Sequence, residues 1–174
     1  WLAHQVQHPG KLILWCPLFQ GIEGVGKTAI IELLRQVLGE EHVGVVNTTQ
    51  VTSNFNGWAI GKCVNVLEEL KIAGANRFEV VNNIKPLITD PWIQVTNKGV
   101  DAYTTRNVTN YIGFTNWLDS VPLGVTDRRF WTIRVTLSSL DEIEDLMGEH
   151  KDVYFPALFE AIRGHGGELR KWLM

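Results

Sequence analysis

The chain has 174 residues, of which 45% are hydrophobic and 20% charged, and its formal net charge is −3. That length supports one domain with a real core, and the composition excludes a disordered tail or a fibre. The acidic balance excludes a strongly basic, histone-like binder of nucleic acid, though not a local basic surface.

In chain order, residues 12–19 form a continuous apolar run of strand length, typical of a strand buried on both faces. A glycine-rich turn follows, and residues 28–38 then carry Ile30, Ile31, Leu33, Leu34, Val37 and Leu38 at helical spacing, ending at Gly39. Residues 42–46 predict a second strand, residues 47–57 a polar loop, and residues 62–67 a third strand ending in Glu68 and Glu69. Residues 76–88 have helical spacing. Residues 92–96 and 100–104 flank Asn97, Lys98 and Gly99 and read as a hairpin. Residues 111–114 and 130–135 are further apolar strands, and a helical pattern starts at Ser139 with Asp141 and Glu142 in its first turn. Strands alternating with helices predict an α/β fold with a mostly parallel sheet covered on both faces.

The two cysteines, Cys16 and Cys63, are too few for a disulfide framework, and both lie in apolar runs, so reduced, buried thiols in a cytoplasmic protein are expected. The longest apolar run is broken by Pro17 and too short to span a bilayer, and no charged-then-apolar leader is seen, so no membrane partner is expected. Because the chain opens at Trp1, it reads as a domain cut from a longer protein.

Gly21, Ile22, Glu23, Gly24, Val25, Gly26, Lys27 and Thr28 fit G-x-x-x-x-G-K-S/T without a mismatch. Glycines let backbone N–H groups turn inward around phosphate oxygens, and the following helix presents its anion-favouring end. Lys27 is placed to reach the β- and γ-phosphates of ATP, and Thr28 to offer a hydroxyl to Mg²⁺. Glu68 and Glu69 stand where a third strand ends, the edge at which open parallel sheets hold ligands. One carboxylate would complete the Mg²⁺ shell and the other polarise the attacking water, in either assignment, although Glu is also ordinary at a helix start. Asn116 ends another strand and would bond the γ-phosphate or the water, or simply close a turn. Arg128 and Arg129 suit bidentate phosphate contact or a salt bridge with Asp127. Lys98 at the hairpin tip and Lys85 carry no sharper meaning alone, and the five histidines show no ligand spacing.

The ordered set resembles the superfamily 3 helicases, ring ATPases of the AAA+ class, and within them the phage-type primase-helicase and primase-polymerase proteins. The likeness is carried by the loop Gly21 to Thr28, the pair Glu68 and Glu69, Lys98 between two short strands, Asn116, and Arg128 with Arg129. It is joined by the stretches Phe55-Asn-Gly-Trp58, Ile84-Lys-Pro-Leu-Ile88 and Asp127-Arg-Arg-Phe-Trp131. The resemblance implies an AAA+ phosphate-loop core at 1–136, with a five-stranded parallel sheet and a hairpin insertion, and a helical segment of the same domain at 137–174. It implies hexameric rings with ATP at subunit interfaces, Arg128 or Arg129 completing a neighbour's site, Asn116 as sensor, and Lys98, with Lys85, gripping single-stranded DNA. The implied function is an ATP-dependent DNA helicase motor at the replication fork of a phage-like element, in the host cytoplasm, with a primase or polymerase domain in the same parent chain. An AAA+ initiator or loader, and a phosphate-loop kinase, are the alternative readings.

Overall fold

In the computed structural model, which describes residues 1–68, 76–116 and 127–174, the apolar run at 12–19 becomes strand only from its middle. Leu14 takes φ +68, which breaks the extended path, and β1 spans Cys16–Gln20. The amide of Cys16 donates to the carbonyl of Arg129 and that of Gly21 to the carbonyl of Thr115, so odd-numbered positions of β1 face the strand that carries Thr115. Pairing on that side begins only at Leu18, so Pro17 occupies the strand without removing a bond of the ladder.

Helix α1 (Leu2–Gln7) precedes β1, and α2 (Lys27–Leu38) follows it. Next come β2 (Val43–Asn47), α3 (Thr48–Val51), β3 (Val64–Glu68), α4 (Asn76–Thr89), β4 (Trp92–Asn97), β5 (Val100–Arg106), β6 (Asn110–Thr115) and β7 (Phe130–Arg134). Helices α5 (Leu140–Met147), α6 (Lys151–Gly164) and α7 (Gly166–Leu173) end the chain, and short 3-10 turns occupy Glu40–His42 and Gly57–Ala59. The stretch expected as loop at 47–57 instead opens with α3, because Asn47 Oδ1 accepts from the Gln50 amide while Gln50 Oε1 accepts from the Asn47 amide.

Five parallel strands form one sheet in the order β2-β3-β6-β1-β7, and β4 pairs with β5 in a separate antiparallel hairpin. Chain following β1 goes to the β2 edge, whereas β6 is followed by β7 on the far side of β1. Neighbouring strands β1 and β6 therefore send their connections in opposite directions, and a crevice at their C-terminal ends is the natural ligand position.

Each sheet face has its own core. On one face Leu18, Leu67 and Tyr111 meet Val80, Ile84 and Ile88 of α4 and Ile93 and Val95 of β4. On the other face Val64, Val66, Ile112 and Phe114 meet Ile31, Leu34 and Val37 of α2 and Leu173 of α7. β6 is buried along its whole length, as a strand covered on both faces must be. Cys16 is fully buried and its thiol is pushed well up by desolvation. Cys63, expected to be buried, is only half-buried, and desolvation raises its thiol too. No helix among the described residues is long and apolar enough to cross a membrane.

Candidate functional site

The loop between β1 and α2 turns through two left-handed residues, Gly24 at φ +84 and Gly26 at φ +88. Only glycine takes these angles cheaply. Space adds a second constraint: a Cβ on Gly24 would stand 2.7 Å from Leu140 Cδ2, and one on Gly26 3.2 Å from Phe155 Cε1. Helices α5 and α6 thus press side chains onto the loop from outside. Gly26 caps α2 with no side chain, so the helix start keeps its amides available to an anion.

Lys27 and Thr28 are the first two residues of α2, and Lys27 Nζ donates to the Gly21 carbonyl at 3.0 Å. Glu68 is the last residue of β3 and Asn116 directly follows β6. All four line one cleft of about 230 Å³ at the C-terminal edge of the sheet, together with Glu23, Gly24, Gly26 and Thr115. Asn116 Nδ2 donates to Glu23 Oε1 at 3.2 Å, while its Oδ1 is buried with no hydrogen-bond partner among the described residues. An orphan acceptor in a polar cleft suits a donor from bound water. Thr28 and Glu68 offer a hydroxyl and a carboxylate to the same cleft, the hard oxygen donors that Mg²⁺ takes. Glu69 lies outside the described residues.

The arginine pair stands elsewhere. Arg128 and Arg129 precede β7, at the N-terminal edge of the parallel sheet. The five residues of β1 separate that edge from the loop between β1 and α2 by about 17 Å at 3.3 Å per residue. Neither arginine lines the cleft of its own chain. Arg128 is exposed; Arg129 is half-buried, with its Nε enclosed and without a hydrogen-bond partner among the described residues. The expected partner of Asp127 also differs: its carboxylate binds Lys85 Nζ at 2.9 Å and accepts from the Arg129 amide at 3.0 Å. Burial raises the Asp127 carboxyl, but the Lys85 ammonium and the Arg129 amide outweigh it and hold the group below the usual carboxylate range. Lys85 is therefore committed to an ion pair.

Lys98 is exposed at the hairpin tip, and Gly99 takes φ +75 to close a turn one residue tighter than the three expected. What holds the hairpin was not visible in the pattern. Asn56 Nδ2 donates to the Gln94 carbonyl at 2.8 Å, Asn56 Oδ1 accepts from the Thr96 amide at 2.7 Å, and the Asn56 amide donates to the Thr96 carbonyl at 3.1 Å. Asn65 of β3 donates from Nδ2 to the Trp58 carbonyl at 2.9 Å. The stretch Phe55 to Trp58 thus bridges hairpin and sheet.

A family model matches residues 19–129, which include the loop, Glu68, the hairpin and Asn116. The chain is 27% identical over 132 residues to a DNA primase-polymerase of Nitratiruptor phage NrS-1, an overlap of 75% of this chain and 18% of that protein. It spans, then, under a fifth of that relative's length. The apo structure of the NrS-1 C-terminal region (305–718) superposes with TM-score 0.79 at 25% identity, covering 99% of this chain and 39% of that one. A second apo structure of that region, the A form, gives TM-score 0.74 at 23% identity, covering 99% and 39%, and shares the fold. The chain belongs to a family of unknown function, DUF5906.

Proposed function

We propose that this chain is the ATP-hydrolysing motor domain of a phage-type replication protein, of the AAA+ superfamily 3 helicase kind, working on single-stranded DNA as a ring. The observation that carries the reading is the meeting of Lys27, Thr28, Glu68 and Asn116 in one cleft against a loop held open by Gly24 and Gly26. Similarity to a phage DNA primase-polymerase supports a role in phage DNA replication.

The residues divide the work by their positions. The loop amides and the start of α2 would take the phosphates, and Lys27 would exchange the Gly21 carbonyl for a phosphate oxygen. Thr28 and Glu68 would hold Mg²⁺, which when bound neutralises charge on the β- and γ-oxygens. Asn116, anchored through Nδ2 to Glu23, would accept a hydrogen bond from the attacking water at Oδ1, and Glu69 would take its proton. The distance of Arg128 and Arg129 from their own loop favours action in a neighbour's cleft; Arg128, being exposed, is the better placed of the two. Lys98 would grip the DNA backbone without reading bases.

The test is release of inorganic phosphate from ATP and Mg²⁺ by the wild-type protein and by Lys27→Ala. The proposal expects turnover in the first and none in the second. Transfer of the γ-phosphate to an organic acceptor would instead favour a kinase, and ATP binding without turnover at high protein concentration would favour a scaffold.

A further inference from the structure

The hairpin is outside the main sheet, so something must fix its tip relative to the cleft. Its base is tied by Asn107, whose Nδ2 donates to the carbonyls of Leu87 at 2.7 Å and Asp90 at 2.9 Å. Nearer the tip, the outward edge of β4 is paired by one residue. Asn56 satisfies the Gln94 carbonyl and both backbone groups of Thr96, as a neighbouring strand would. Gly57 follows without a side chain; a Cβ there would overlap Oδ1 of Asn97, the residue before Lys98. Trp58 comes next, and its carbonyl takes the Asn65 amide. Asn65 is 1% exposed on β3, three positions before Glu68. A continuous path of packed, hydrogen-bonded groups therefore runs from Lys98 through Asn97, Thr96, Asn56 and Trp58 to the strand that carries Glu68.

We propose that Asn56 is a positioning residue that couples the hairpin to β3, so that DNA held at Lys98 alters turnover at Glu68. The inference rests on the motor reading above and adds the element that transmits between its two sites. Asn56 touches neither cleft nor tip. Its amide has both a donor and an acceptor in use on β4, so it fixes translation and tilt of the strand together. Asp at this position keeps an acceptor for the Thr96 amide but has no donor for the Gln94 carbonyl.

The experiment measures ATPase activity with and without oligo-dT for wild type, Asn56→Ala, Asn56→Asp, Lys98→Ala and the Asn56→Ala/Lys98→Ala double variant. Hydrogen exchange of the peptide containing Thr96 and the thermal midpoint are followed alongside. Asn56→Ala is expected to leave DNA-free turnover within about twofold and to cut the DNA-dependent increment about tenfold, within the usual range of coupling between sites. Thr96 should exchange faster, Asn56→Asp should fall between, and the double variant should lose no more of the increment than Lys98→Ala alone. Equal loss of turnover with and without DNA would show a merely structural role and overturn the proposal. So would an intact increment in Asn56→Ala, or losses that add in the double variant. If Lys98→Ala itself keeps full stimulation, or DNA stimulates nothing, the motor reading fails and the coupling fails with it. If Lys98→Ala loses stimulation while Asn56→Ala keeps it, only the coupling fails.

Discussion

Lys85 Nζ lies 2.9 Å from Asp127 Oδ2, with the Asp127 side chain 5% exposed and that of Lys85 27% exposed. The pair ties α4 to the segment that carries Arg128 and Arg129, and the Arg129 amide bonds the other oxygen of the same carboxylate. Lys85 thereby fixes the run of chain that leads into β7.

Removing the carboxylate leaves Lys85 and the Arg129 amide without their acceptor. Asp127→Ala is expected to cost about 1.5–3 kcal/mol by denaturant unfolding, the range for hydrogen bonds to charged groups. The folded carboxyl is depressed, so its stabilisation is present above the unfolded value near ~3.9 and is lost as pH falls through the lower folded value. Asp127→Asn should therefore flatten the acid limb of the stability profile. An unchanged acid limb would contradict the account of this pair.

Gly26→Ala forces a side chain into a left-handed position and toward the ring of Phe155. The backbone alone costs about 1–2 kcal/mol. In a domain of this size that lowers the melting midpoint by about 2–8 °C. Binding of a fluorescent ATP analogue should be lost well below the new midpoint, because the loop can no longer point its amides inward.

Asn116→Ala removes the unpaired Oδ1 and frees Glu23. Turnover is expected to fall about 10²-fold, a typical contribution from positioning a proton-transfer group. ATP affinity should change little, since the loop and Lys27 would hold the phosphates in the proposed site. Steady-state kinetics beside equilibrium binding separates the two effects; weakened binding with normal turnover would reject this role.

The distance of Arg128 and Arg129 from their own loop gives a mixing test. Lys27→Ala and Arg128→Ala are each expected to be inactive alone, while an equimolar mixture regains ATPase activity. Under the proposed ring, an intact site would form wherever a wild-type Lys27 cleft meets a wild-type Arg128 from its neighbour. No recovery for Arg128→Ala, but recovery for Arg129→Ala, would move the role to the second arginine.

Periodicity and turn chemistry made much of this legible. The turn between β1 and α2, together with α2, β3, α4 and the hairpin, follows from local patterns, and each falls within a few residues of its expected bounds. The misses have separate causes. β1 begins late because Leu14 takes a backbone angle that an apolar run does not announce. Helix α3 had a readable signal, the spacing of Asn47 and Gln50, hidden by the loop-like composition around it. Helix α1 is short, with a fully buried Gln5 that no apolar stripe marks. Asn56 bonds backbone groups some forty positions away, and Phe155 reaches Gly26 from the far end of the chain. Such contacts are set by tertiary packing and leave no mark in local spacing.

A ring ATPase that grips DNA is tested most directly by ATPase rate against protein concentration, with and without single-stranded DNA, for wild type and Lys98→Ala. The expected rate per chain climbs steeply with concentration and rises further with DNA, the DNA effect being lost in Lys98→Ala. A rate per chain indifferent to both concentration and DNA, in the full-length parent as well as in this chain, would contradict it.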